Sequence, residues 1–175
     1  MNVNQTPNDF RHITKDQLRT IIGAFSRIAW PAPAQAADWL ISEVGWERAR
    51  LRVARTNLLV NRATAGIDLA DGDAGVDTLF RGADFNVTDS GEGTDAGDLW
   101  HSFRLITGWV TDIVGEPVAS EGDDIPENPT VWWDLASGGG VKLTMFGIGL
   151  RMYLLSKRSA DTERFDRDHP DDTYE

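Results

Sequence analysis

Three stretches hold the residues of this chain that could do chemistry. Asp71, Asp73, Gly75 and Asp77 stand at the spacing that opens a calcium loop, where alternate carboxylates converge on one cation. Such a loop needs a bidentate acid at its twelfth position, and that residue is Gly82, so no metal site is expected. Asp89, Glu92 and Asp95 sit in a second stretch rich in Asp and Gly, and Glu121, Asp123 and Asp124 in a third. Loop carboxylates among glycines offer negative charge and close backbone approach. No spacing among them marks out a general acid with its base.

Other chemistries lack their parts. The chain contains no Cys and no G-x-S-x-G, so no nucleophile stands beside a base. His12, His101 and His169 are far apart in sequence and form no zinc-ligand pattern. Ser137-Gly138-Gly139-Gly140 lacks the Lys-Ser/Thr of a phosphate loop and precedes a strand, so it reads as a hairpin connection. No catalytic residue and no cofactor are expected. An enzyme using loop carboxylates is the reading this leaves as an alternative.

Charge is concentrated. The net charge is −11. Residues 1–67 hold nine Lys/Arg against five Asp/Glu, net +4; residues 68–134 hold two against sixteen, net −14; residues 135–175 hold six against seven, net −1. A middle segment of that sign repels nucleic acid and anionic membranes and attracts a basic protein surface. Solvated loops that keep the protein soluble are the plainer account of the same charge. The opening MNVNQTPNDF has neither the basic nor the apolar block of a signal peptide, and the apolar run near Ile148–Leu155 is short and carries Arg151. A cytoplasmic protein is expected.

These loops need a scaffold, and the chain centres on one helix. Leu99, Trp100, Phe103, Ile106, Trp109, Val110, Ile113 and Val114 recur at three- and four-residue spacing, with Asp95 as N-cap and Gly115 and Pro117 as stop. An earlier helix starts at a Thr14/Gln17 capping box and buries Leu18, Ile21, Ile22, Phe25, Ile28 and Ala29 before Pro31. A short helix follows from Pro33 to Val44 and ends at Gly45. Ala49, Leu51 and Val53 alternate with Arg48, Arg50 and Arg52 as one strand; further strands are read near Leu58–Leu69, broken around Asn61, and over Leu79–Val87. After the central helix, Val131, Trp133 and Leu135 begin a meander, with Val141, Leu143 and Met145 pairing against Ile148, Leu150, Met152 and Leu154. The fold class is α+β, a single domain with a mainly antiparallel sheet of about six strands and two to three helices in the order α-α-β-β-β-α-β-β-β. Residues 1–12 read as a flexible start, 13–155 as the domain, and 156–175 as a mobile charged tail.

The opposite face of the meander carries Trp132, Phe146 and Tyr153 among Lys142, Thr144 and Arg151. Left uncovered, Trp132 is a candidate interface anchor. Covered by the acidic loops or the first helix, it is core.

Ala29-Trp30-Pro31, Gly45-Trp46, Val87-Thr88-Asp89, Val114-Gly115-Glu116-Pro117 and Val131-Trp132-Trp133, in this order and spacing, resemble short actinobacterial proteins akin to immunity proteins encoded beside secreted polymorphic toxins. The resemblance spans about residues 14–155 and brings no catalytic residues with it. It implies a proteinaceous inhibitor that binds one cognate toxin, one to one. Among such toxins are NAD glycohydrolases, whose cleft, shaped for anionic phosphates, is positive. Asp71, Asp73, Asp77, Asp89, Glu92, Asp95, Glu121, Asp123 and Asp124 would then be the blocking carboxylates, with Trp132 as an anchor. A secretion chaperone, holding an exported segment on the aromatic sheet face, is the alternative function.

Overall fold

The computed structural model describes residues 10–71, 78–122 and 128–170. Its first helix, α1 (Lys15–Ser26), has the capping box read from the sequence: Thr14 Oγ1 accepts from Gln17 N while Gln17 Oε1 accepts from Thr14 N. Leu18, Ile21, Ile22 and Phe25 are buried, whereas Ala29, expected among them, is exposed. The chain passes through a cis Trp30–Pro31 peptide into a two-residue strand, β1 (Ala32–Pro33), and then α2 (Gln35–Glu43).

The expected strand of alternating Arg residues is two strands. β2 (Glu47–Arg50) turns at Leu51 and Arg52 into β3 (Val53–Arg55), which leaves Ala49 and Leu51 exposed where alternation had placed them inward. The pattern misled because a two-residue turn preserves the polar/apolar alternation on either side of it. β4 (Thr64–Ala70) begins later than read; residues 56–63 are a loop. β5 (Leu79–Asn86), β6 (Ala119–Glu121), β7 (Thr130–Asp134), β8 (Gly140–Phe146) and β9 (Gly149–Leu155) complete the sheet. Its order is β2-β3-β4-β5-β9-β8-β7-β6, antiparallel throughout, with β1 paired to the start of β5. The described residues thus form nine strands and four helices, more than the six and two to three expected.

The central helix, α3 (Ala96–Val114), lies on one face of the sheet against β7, β8, β9 and α1. Leu99, Phe103, Ile106 and Val110 are its buried stripe. Beneath it the inward residues alternate along each strand: Val131 and Trp133; Val141, Leu143 and Met145; Leu150, Met152 and Leu154. The Trp133 indole is buried and donates to Thr111 Oγ1 of α3 (3.2 Å), so strand and helix are held by a polar contact as well as by burial.

The opposite face is partly covered by a fourth helix, α4 (Lys157–Asp168), in the segment expected to be a mobile tail. Ser156 caps it, its Oγ accepting from Ser159 N. Apart from Ala160 its contacts are polar: Glu163 accepts from Lys142 Nζ (2.5 Å) and from the Trp132 indole (3.1 Å), Arg167 lies over the Trp132 ring (4.7 Å), and Arg164 reaches Asp134 (3.0 Å). A helix docked by charge has no apolar stripe to read, which is why the segment looked unable to order. The start of the chain is also tied down from Phe10 onward: His12 bridges Thr88, and Ile13 N donates to Val87 O (2.7 Å). Among the described residues no helix is long and apolar enough to cross a membrane.

Candidate partner-binding surface

The strand directions sort the described carboxylates of the acidic stretches onto two ends of the sheet. β5 runs toward the loop at 87–95, which enters α3; β8 and β9 turn back at the same end through Gly147 and Ile148. The two are bonded directly. Gly91 N donates to Ile148 O (2.9 Å), and Gly149 lies against Ser90, where an added Cβ would come within 2.6 Å of the Ser90 Cβ. Residues 56–63 join them through Asn61, whose amide and side chain bond Asp89 and Ser90. β6 ends here too, since Glu121 pairs with Thr130 and Pro129 O accepts from Met145 N.

Asp71 is at the other end. It follows β4, whose seven residues separate it from this loop cluster by roughly 20 Å at about 3.3 Å per residue. The structure therefore does not bring Asp71 together with Asp89, Glu92, Asp95 and Glu121. Asp73, Asp77, Asp123 and Asp124 lie outside the described residues, as do Gly75 and Glu127.

The carboxylates at the shared end have different jobs. Asp89 is a fastener. Its Oδ2 accepts from Arg11 N (3.1 Å) and Arg11 Nε (3.2 Å), and its Oδ1 from Asn61 N (2.8 Å), so it ties residues 10–12 and 56–63 to the loop before α3. Burial alone pushes its pKa up; the hydrogen bonds from Arg11 and Asn61, with the Arg11 charge, outweigh this and hold the carboxyl below its ordinary range. Asp95 is the N-cap of α3, accepting from Asp98 N (3.0 Å). Glu92 and Glu121 are exposed and make no ion pair among the described residues, and Asp98 is likewise unpaired. Glu92, Asp95 and Asp98 border a shallow concavity of about 220 Å³ with Phe10 and Asn61.

Two apolar side chains stand beside these carboxylates. Ile148, at the tip of the β8–β9 turn, is 48% exposed, and Leu59, two residues before Asn61, is 76% exposed. Neither was singled out in the sequence, where both read as strand interior. Only the turn at Gly147 and the loop at 56–63 expel them into solvent. Arg62 lies on the neighbouring flank with Arg151, whose guanidinium is bonded to Asp84. The expected anchor Trp132 is not available. It is 8% exposed beneath α4, with its indole bonded to Glu163 and Arg167 across its ring, so it is removed from the candidate surface.

A family profile places this chain among known sequences. The chain belongs to DUF6301, a family of unknown function. The match covers residues 16–156, from the first turn of α1 to the residue that caps α4, so α4 lies beyond it. No curated protein and no solved structure matches the chain.

Proposed function

We propose that this chain is a non-catalytic inhibitor of immunity type, which binds a folded, basic partner, a secreted toxin acting on an anionic substrate such as NAD, and covers its active site. The observation that carries this reading is the end of the sheet described above. Glu92 and Asp98, without ion pairs among the described residues, stand with exposed Leu59 and Ile148 where the loops at 56–63 and 87–95 and the β8–β9 turn are bonded together through Asp89, Asn61 and Gly91. Glu121 ends β6 at the same end of the sheet. Apolar side chains inside a polar rim are the composition of a protein interface, with the apolar centre supplying affinity and the charges supplying approach rate and choice of partner. Loops bonded into one another lose little freedom on binding, which favours a tight complex. The blocking carboxylates are then those of the second and third acidic stretches, and Asp71 has no part in the interface.

The test uses the purified chain and the product of the adjacent toxin gene. A one-to-one complex is expected on size exclusion, with loss of the toxin's NAD hydrolysis. The double variant Leu59→Asp, Glu92→Lys should bind at least a hundredfold more weakly, since two contacts of about 1–2 kcal/mol each are removed and a repulsion is added. Both residues are exposed, so the melting temperature should not move. A complex unaffected by these substitutions, or no complex at low salt, refutes the reading.

A further inference from the structure

At the end of the sheet away from this surface lies a cleft of about 740 Å³. Its walls come from the cis Trp30–Pro31 turn with β1, from the end of β4 and start of β5, and from the first three turns of α4. The volume is in the range of small-molecule sites. Two properties of the wall describe what it would hold.

The first is aromatic. Trp30, Phe80 and Phe165 line the cleft; the Trp30 and Phe80 rings are 6.0 Å apart, and Phe165, on α4, is 56% exposed. A half-exposed Phe at the mouth of a cavity leaves apolar surface in water that a flat ring would cover.

The second is cationic. Among the described residues that line the cleft, Arg81, Lys157 and Arg158 stand against Asp71 and Asp161, in a chain of net −11. Asp161 is already engaged by Lys157 (2.6 Å) and Arg164 (2.7 Å). Arg81 and Arg158 make no side-chain hydrogen bond or ion pair among the described residues, and Arg81 Nε is sealed from solvent without an acceptor. A guanidinium N–H shut from solvent without an acceptor is costly, and an anion in the cleft would supply one.

The placement of Arg81 is built into the strand. Asp68 pairs with Gly82 and Leu69 with Phe80, so Arg81 is the extra residue of a bulge. Bulges re-aim a side chain out of the regular alternation. The bulge depends on Gly82, at φ 138°, where a Cβ would come within 2.0 Å of Leu154 O. Arg81 O in turn accepts from Ser156 N (3.0 Å), which fixes the start of α4 over the cleft.

We propose that this cleft binds a small organic anion with a flat ring, of the size of a nucleoside monophosphate, the ring on Trp30 and Phe165 and the phosphate or carboxylate on Arg81 and Arg158. The site is separate from the acidic interface and stands or falls independently of it.

Calorimetry on the full chain tests this with AMP, adenosine and inorganic phosphate, and with 8-anilinonaphthalene-1-sulfonate as a fluorescent aromatic anion. Saturable one-site binding of AMP is expected, about tenfold or more tighter than either adenosine or phosphate alone, with AMP displacing the dye. Arg81→Gln should weaken AMP about tenfold or more, and Arg81→Lys should recover only part of the loss, because an ammonium keeps the charge without the fork. Arg158 is exposed, so Arg158→Gln tests the same charge in a variant whose melting curve should match the parent. The proposal is overturned if neither aromatic anion binds saturably, if AMP binds no better than adenosine, or if both folded Gln variants bind AMP as the parent does.

Discussion

Asp89 is where the fold and the candidate surface can be perturbed together. Its carboxylate receives two backbone N–H bonds, from Asn61 at 2.8 Å and Arg11 at 3.1 Å, and one guanidinium bond at 3.2 Å. The Arg11 side chain is 51% exposed, so the ion pair contributes only a few tenths of a kcal/mol. The backbone bonds contribute about 1 kcal/mol each. Asp89→Ala should therefore cost about 2 kcal/mol, a fall of about 4–8 °C in Tm for a chain of this size. Asp89→Asn keeps an acceptor without the charge and should cost about 1 kcal/mol. The pH dependence separates charge from shape. The folded pKa lies below the ordinary value of 3.8, so the group's stabilisation is fully present above the unfolded pKa and is lost as pH falls through it toward the folded one. Urea titrations at steps from about pH 6 to pH 3 should show the parent losing stability faster than Asp89→Asn below about pH 5. Parallel acid limbs for the two proteins, or an Asp89→Ala cost under about 0.5 kcal/mol, would refute the assignment of Asp89 as the fastener of these loops.

Other positions give independent checks. Glu163→Ala removes the acceptor for both Lys142 and the Trp132 indole; a loss of about 2 kcal/mol in urea unfolding is expected, with faster amide exchange in 157–168 than in α3. Gly82→Ala places a methyl group on Leu154 O at a φ that L-residues avoid, and should cost roughly 3 kcal/mol or more by thermal melt, whereas Gly147→Ala, with open space around it, should cost far less. Thr111→Val leaves the buried Trp133 indole without its acceptor and should cost about 1–2 kcal/mol in urea titration.

Local signals in the sequence determined a good part of this protein. The capping box at Thr14, the α3 stripe through Leu99, Phe103, Ile106 and Val110, and the inward alternation of Val131 and Trp133 and of Val141, Leu143, Met145, Leu150, Met152 and Leu154 each lie within a few turns or one hairpin, and each forms as read. Capping, periodicity and turn chemistry act between residues near in sequence, so one sequence displays them. Tertiary structure decided the rest. Whether Trp132 was anchor or core depended on Glu163 and Arg167, thirty or more positions away on a helix with no apolar face. Leu59 and Ile148 became surface because the loop at 56–63 and the turn at Gly147 lift them out of the sheet. That Glu92 and Glu121 share an end of the sheet while Asp71 does not was settled by strand direction, and Arg81 reaches its cleft through a bulge whose register needs β4 beside it. All of these rest on pairings between distant segments, whose geometry leaves no periodic trace along the chain.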